Sequence, residues 1–223
     1  MSYTAHVDTF ARDRLPPDSQ QPEFLFQLPE LRFPHRLNCA SELLDRHVAA
    51  GRGDRICVRA PGGPSWTYAE LQRQANRIAN VLVAELGLVP GNRVLLRAFN
   101  KPMLVACWFA VMKAGGIAVG TMPLLRAKEL GQIIAKGQVS HALCDVALRG
   151  ELDTAQAQFP VLERVVHFGS DAADGEEARM ARQPDTFANV DTAVDDTCLL
   201  GFTSGTTGQP KATMHFHRDV MAS

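Results

Sequence analysis

Five short apolar runs, spaced by stretches long enough for a helix, constrain the fold more than any other feature of the sequence. Each run is four to six residues long and has the composition of a buried strand: Arg93–Ala98, Ile117–Gly120, His141–Cys144, Arg164–Phe168 and Cys198–Phe202. Strands that alternate with helices are typical of an α/β fold, in which helices cover a largely parallel sheet. We therefore predict layered helices on a largely parallel sheet.

Two helices are predicted before the first of these runs. Asn38 is a suitable N-cap for apolar positions with helical spacing, and Gly51 is a natural stop for that helix. Thr67 and Glu70 have the Thr-x-x-Glu spacing of a capping box, in which each side chain accepts from the other residue's backbone N–H. We expect two short strands between these helices.

The apolar segment from Met103 to Leu125 is long enough to cross a bilayer as a helix. However, Lys113 interrupts it, Gly115 and Gly116 would end a helix, and Pro123 closes the remainder. We therefore expect a short helix followed by a short strand, both buried in the core.

Two segments depart from the strand and helix pattern. Residues 1–36 hold five prolines between Leu15 and Pro34, which predicts an extended lead-in that docks on an α/β domain spanning 37–223. Residues 171–196 carry eight acidic residues against two arginines, which favours a solvated connection with one short helix.

Charge and cysteine content narrow the class of partner and the compartment. A net charge of -1 gives no electrostatic reason to bind nucleic acid or an anionic membrane, so small molecules or proteins are the expected partners. The five cysteines form no CxxC pair, which argues against a disulfide framework or a paired-thiolate zinc site and favours buried, apolar roles. Because the N-terminus also lacks an apolar signal segment, we expect a cytoplasmic protein.

The segment from residue 203 to 211 has the composition of a phosphate-binding loop. It lies between the apolar runs Cys198–Phe202 and Ala212–Phe216, and it offers hydroxyl groups, two glycines and a lysine. The candidate phosphate-binding residues are Thr203, Ser204, Gly205, Thr206, Thr207, Gly208 and Lys211. The segment does not match a Walker motif, and GxGxxG is absent. A flexible hairpin turn is the alternative interpretation, although such turns rarely combine four hydroxyls with an adjacent lysine.

Three motifs in this sequence resemble those of the adenylate-forming superfamily, which contains acyl- and aryl-CoA synthetases. The residues FTSGTTGQPK at 202–211 resemble its phosphate loop, WTYAEL at 66–71 is similar to an early family element, and MKAGGI at 112–117 resembles a helix-to-strand junction. They occur in family order, so the resemblance extends from about Leu37 to Ser223. Two further similarities point to the benzoate and 2-aminobenzoate CoA ligases: the H-x-H of residues 215–217 and the run Pro123–Ala127.

The resemblance implies a reaction, its cofactors and the extent of the chain. Enzymes of this superfamily use ATP and Mg²⁺ to convert a carboxylate to an acyl-adenylate, from which coenzyme A forms a thioester. By resemblance, the candidate phosphate-binding residues would hold the β- and γ-phosphates, no catalytic residue lies in this chain, and the substrate is an aromatic carboxylate. The chain would be a truncated N-terminal part of the large domain that lacks the C-terminal domain with its adenylation lysine, and would be inactive alone. The alternative is a non-catalytic remnant with weak nucleotide-phosphate binding at most.

Three residues after the loop, Ala212, His215 and His217, bear on backbone strain and on metal binding. The family usually has glycine where Ala212 stands, a change that would cost on the order of 1 kcal/mol at positive φ but nothing in a strand. His215 and His217 would share one face of a strand, but no third metal ligand is near them in sequence. We therefore expect each histidine to make a polar contact at the strand end.

Overall fold

The computed structural model describes residues 3–21, 23, 25, 27–203 and 210–223. The strands in these residues are β1 (Ile56–Arg59), β2 (Ser65–Thr67), β3 (Arg93–Arg97), β4 (Ile117–Thr121), β5 (His141–Asp145), β6 (Arg164–Phe168), β7 (Thr197–Thr203) and β8 (Lys211–Phe216). The α-helices are α1 (Tyr68–Asn80), α2 (Pro102–Lys113), α3 (Ala127–Gly137), α4 (Arg149–Gln158), α5 (Glu176–Met180) and α6 (His217–Ala222). Each of the five strand predictions lies within one residue of the observed strand ends.

The main sheet has six strands in the order β6-β5-β3-β4-β7-β8. Its first five strands are parallel, and β8 pairs antiparallel with β7. Strands β3 and β5 are buried along their whole length, because helices cover both faces of a parallel sheet. The prediction of a largely parallel sheet is confirmed, while β1 and β2 form a separate antiparallel pair.

The core has two halves, one on each face of the sheet. Alternate residues of β3 point in opposite directions, so Val94 and Leu96 pack with α1 and α2 while Leu95 packs with α3 and α4. Helix α1 contributes an apolar face, including the fully buried Ile78. The result is three layers, with the sheet between two pairs of helices.

The local helix signals have the predicted roles. Thr67 Oγ1 accepts a hydrogen bond from the Glu70 N–H at 3.2 Å, and Glu70 accepts in return from the Thr67 N–H at 2.8 Å. Asn38 Oδ1 accepts from the Ala40 N–H at 3.1 Å, and Gly51 has a left-handed φ of 74°. The helical run after Asn38 includes the π-helical turns Ser41–Asp45 and Val48–Arg52 in place of a regular α-helix, and the left-handed Gly51 interrupts the second turn one residue before its end.

The apolar segment after residue 102 divides into α2 and β4, as predicted. Lys113 at the end of α2 is 1% exposed, and its Nζ lies 2.6 Å from both carboxylate oxygens of Asp45. The chain then turns at Gly115, whose φ is 69°. None of the helices in the described residues is both long enough and apolar enough to traverse a bilayer.

The first residues contact the sheet through polar groups. Asp8 forms an ion pair with Arg93 of β3, and the described part of residues 1–36 has 3-10 turns but neither α-helix nor strand. Asp196 accepts hydrogen bonds from the Ala5 and Ala193 N–H groups, both at 2.9 Å. The division of the chain at residue 36 remains a prediction.

The acidic segment contains one short helix, α5, as predicted, but the expectation that its acids are solvated is wrong at two positions. Asp196 is 1% exposed because its carboxylate accepts the hydrogen bonds just described. Glu176 is fully buried, and neither of its carboxyl oxygens has a hydrogen-bond partner. Burial, followed by the negative charge of Glu177, raises the pKa of Glu176 to about 8.

Replacing Gly115 with alanine should destabilise the fold. A Cβ there would lie 3.0 Å from Val190 Cγ1, and the positive φ is strained for any other residue. We expect Gly115→Ala to lower the free energy of unfolding by about 1–3 kcal/mol in urea titrations. The matched control is Gly150→Ala in α4, where a Cβ meets nothing within 4 Å and should be neutral or stabilising. Equal effects of the two substitutions would contradict the assigned role of Gly115.

Glu176 should make the stability of the protein fall as pH rises. Between the ordinary value of 4.5 and about 8, the folded state keeps the proton that the unfolded state has lost. Stability therefore falls by on the order of 1 kcal/mol per pH unit at most in this window. Glu176→Gln should remove this dependence, so its advantage in urea should grow from pH 5 to pH 8. The exposed Glu163→Gln is the control, and parallel pH profiles for wild type and Glu176→Gln would refute the assignment.

Candidate functional site

The candidate phosphate loop leaves the sheet at the carboxyl edge of its parallel strands. Strand β7 ends there at Thr203, and its neighbour β4 ends at Thr121. Ligands of open α/β sheets bind outside this edge, where loops and helix N-termini meet. The fold therefore places Thr203 and Lys211, the two ends of the loop, at an edge suited to ligand binding.

The hairpin of β7 and β8 brings together the first and last candidate phosphate-binding residues. Thr203 pairs directly with Lys211 across the two strands, and both residues are exposed. Side chains directly opposite each other in an antiparallel pair project from the same face. A hydroxyl and an ammonium group thus flank the loop. The other five candidates, Ser204, Gly205, Thr206, Thr207 and Gly208, lie outside the described residues, and their role remains a prediction.

Ala212 occupies an ordinary strand position in β8, where it pairs with Phe202. Among the described residues, Gln138 is the non-glycine with a positive φ, so Ala212 has no backbone strain of that kind. Alanine in place of the glycine that the family usually has here is therefore neutral, as expected for a strand position.

A cleft of about 670 Å³ opens beside the hairpin, between α3 and the ends of β4 and β7. Its lining is more apolar than polar and consists of Gly120, Thr121, Met122, Leu125, Lys128, Glu129, Gln132, Ile133, Phe202, Thr203 and Pro210. No sequence motif marks this cleft, because its walls come from segments about 80 residues apart. Only the pairing of β4 with β7 brings these segments together.

Arg97, at the end of β3, shapes the wall of this edge. Its guanidinium donates hydrogen bonds to the carbonyl oxygens of Met122 at 3.1 Å, Pro123 at 3.0 Å and Leu125 at 2.9 Å. The residue is 1% exposed, and burial lowers its pKa. These bonds fix the turn between β4 and α3, which sequence reasoning treated only as a similarity in the run Pro123–Ala127. The sequence signal for this role was an arginine inside the apolar run Arg93–Ala98.

The two histidines after the loop occupy different elements. His215 on β8 has its Nε2 3.1 Å from Thr213 Oγ1, which confirms the predicted polar contact. His217 is the first residue of α6, so the expectation that both histidines share a strand face is wrong. The helix begins there because Asp219 accepts a hydrogen bond from the Phe216 N–H at 2.8 Å. His217 is 1% exposed, and its Nδ1 accepts from the Cys39 N–H at 3.2 Å.

Comparisons with known proteins agree with the three family motifs at residues 66–71, 112–117 and 202–211. Residues 45–223 match the family model described as AMP-binding enzyme. The benzoate–CoA ligase of Thauera aromatica is 29% identical over 193 residues, which are 86% of this chain and 36% of the ligase. The crystal structure of the anthranilate CoA ligase AuaEII in complex with anthranoyl-AMP superimposes with a TM-score of 0.78 at 25% identity, covering 86% of this chain and 36% of that one.

A second solved structure, ATP-bound MatB from Rhodopseudomonas palustris, gives a TM-score of 0.71 at 28% identity over 81% of this chain and 35% of MatB. The chain thus spans about a third of the length of the relatives it matches. Since the family model covers most of the residues, the chain belongs to the AMP-binding enzyme family, the adenylate-forming group that includes these acid–CoA ligases.

Proposed function

We propose that this chain forms the ATP-phosphate-binding part of an acid–CoA ligase that activates an aromatic carboxylic acid of the benzoate or 2-aminobenzoate type. The observation that carries the proposal is the β7–β8 hairpin, which holds Thr203 opposite Lys211 at the carboxyl edge of the sheet. The choice of an aromatic acid draws on the relatives, which include a benzoate–CoA ligase and an anthranilate CoA ligase.

The proposed reaction has two steps. A carboxylate is a poor acyl donor, so its oxygen first attacks the α-phosphorus of ATP and releases pyrophosphate, which leaves an acyl-adenylate. The thiol of coenzyme A then attacks the acyl carbon and displaces AMP. Because the substrate carboxylate is itself the nucleophile, the first step requires alignment and charge stabilisation more than a general base.

The residues of this chain would contribute to the first step by holding the triphosphate. The Lys211 ammonium supplies positive charge for the β- and γ-phosphates, and the hydroxyls of Thr203, Ser204, Thr206 and Thr207 supply donors. Gly205 and Gly208 would let the backbone N–H groups approach the same oxygens.

Mg²⁺ belongs to the proposal through the phosphates of ATP. Magnesium usually binds substrate phosphates with one or two carboxylates and keeps several waters. Among the described residues, no cluster of three carboxylate or histidine ligands lies at the carboxyl edge. The proposal therefore assigns no protein ligand for Mg²⁺ within them.

A second candidate function follows from the extent of the match. The chain corresponds to about a third of each relative, and one phosphate loop does not by itself align an acyl group with an α-phosphate. The 223-residue chain would in that case bind nucleotide phosphates weakly and catalyse nothing. We place both candidates in the cytoplasm.

ATP–pyrophosphate exchange discriminates between the two functions. The polypeptide encoded by the whole reading frame is assayed with benzoate, 2-aminobenzoate and an aliphatic acid as the control. We expect exchange that depends on an aromatic acid, followed by thioester formation when coenzyme A is added. Absence of exchange with every carboxylate would overturn the ligase proposal. Equilibrium dialysis of the 223-residue chain with labelled ATP should show weak binding, and micromolar affinity would exclude a mere remnant.

Replacing Lys211 should weaken the first step without unfolding the protein. The residue is exposed at the end of β8, so Lys211→Met removes a charge and leaves the core intact. We expect kcat/KM for ATP in the exchange assay to fall by about 100-fold. Lys136→Met is the matched control, because Lys136 is an exposed lysine on α3 that lines a groove together with Lys211. A loss of similar size in both variants would indicate a general electrostatic effect and contradict the specific role of Lys211.

A further inference from the structure

Two cysteines and a histidine from distant parts of the sequence meet at the base of the β7–β8 hairpin. Cys39 begins the first helical run, Cys198 lies near the start of β7, and His217 begins α6. Their Sγ and ring-nitrogen atoms all lie within 4.8 Å of one another. Both cysteines are fully buried, and His217 is 1% exposed. We call these three residues the Cys–Cys–His cluster.

The donor atoms of the cluster point at one another. Cys39 Sγ lies 3.1 Å from His217 Nδ1 and 3.2 Å from the thioether sulfur of Met112, which is also fully buried. The Cys39 N–H donates to His217 Nδ1, so that nitrogen is the unprotonated one, and an ion bound to its lone pair would replace this hydrogen bond. Three sulfur atoms and one imidazole nitrogen thus converge within the core.

We propose that the Cys–Cys–His cluster binds one thiophilic d¹⁰ metal ion, Zn²⁺ or Cu⁺, with the Met112 sulfur adjacent as a fourth donor. Thiolate and thioether sulfur with imidazole nitrogen is the donor set that such soft ions select. On binding, the ion forms bonds to both Sγ atoms and Nδ1, and the two thiol protons pass to solvent. Zn²⁺ with two thiolates and a neutral imidazole leaves the buried site without net charge, which lowers the cost of burial.

The required rearrangement is small. Zinc bonds of about 2.3 Å to sulfur and about 2.0 Å to nitrogen place neighbouring donor atoms roughly 3.5–3.8 Å apart around a tetrahedral ion. The Cys39 Sγ–His217 Nδ1 separation of 3.1 Å is shorter than that range and all three donor atoms lie within 4.8 Å, so side-chain shifts of up to about 1 Å would open room for the ion.

Binding here would brace the hairpin from the end opposite the phosphate loop. Cys198 and Thr203 are five residues apart along β7, or roughly 16 Å at the rise of a strand. The ion would cross-link β7 and α6 to the start of the first helical run and, through Met112, to α2. The site is therefore separate from the proposed nucleotide site, and its test does not depend on ligase activity.

The first experiment measures metal retention by the purified 223-residue chain. Protein freed of metal by a chelator under reducing conditions is incubated with Zn²⁺, or anaerobically with Cu⁺, and desalted before elemental mass spectrometry. We expect the wild type to retain about one equivalent and to gain thermal stability. Cys198→Ser and His217→Asn should each weaken binding by about 100-fold or more. Cys107→Ser and Cys144→Ser, which alter fully buried cysteines elsewhere, should behave as wild type.

The second experiment guards against variants that fail to fold. Titration of the unmodified chain with Cd²⁺ should produce the ultraviolet absorption of cadmium–thiolate bonds with a stoichiometry of about one. Met112→Leu separates the two ions, since loss of the thioether should weaken Cu⁺ binding and spare Zn²⁺. Retention of neither ion above the level of Cys198→Ser would overturn the proposal. A Cys39–Cys198 disulfide that forms in air, in a chain that binds no metal when reduced, would also overturn it.

Discussion

Burial of the parallel strands on both faces is the constraint on which the rest of the structure depends. Strands β3 and β5 have no exposed residue, so helices must cover the sheet from above and below. Each connection between two parallel strands then runs over one face of the sheet. Every strand from β3 to β7 therefore ends at the same edge. The hairpin with Thr203 and Lys211 lies at that edge because, among the strands in the described residues of this sheet, β8 alone returns antiparallel.

Among the described residues, each ionisable Arg, Lys, Asp or Glu side chain buried in this core has a polar partner, except Glu176. Lys113 is paired with Asp45, and Arg97 donates to backbone carbonyls that hold the turn before α3. Removing one partner of such a buried pair costs more than the pair contributes, since an uncompensated charge remains. Glu176 is the exception, because burial holds it in the protonated form near neutral pH and stores a pH-dependent cost in the fold.

The two ends of the β7–β8 hairpin lie in different environments. Its loop end presents a hydroxyl and an ammonium group to solvent, as phosphate binding requires. Its base lies in the core, where Cys39, Cys198 and His217 converge without solvent. A brace at the base would limit the motion of both strands and so help to hold Thr203 opposite Lys211.

The sequence by itself predicted the strands, a helix start and the family, because these depend on local patterns, while the phosphate-binding role of the loop stays a prediction. Apolar runs located the strands to within one residue, the Thr67–Glu70 spacing located a helix start, and the residues from 202 to 211 indicated the family. Such signals arise from backbone hydrogen bonding and side-chain periodicity over a few residues.

Only the tertiary structure decided which distant residues meet. The strand order placed β4 beside β7, which formed the cleft, and the start of α6 turned His217 away from His215 and toward two cysteines that are 159 residues apart in sequence. The burial of Glu176 and Asp196 was likewise invisible in an acidic segment. Packing between distant segments sets these contacts, and the spacing of residues along the chain does not predict them.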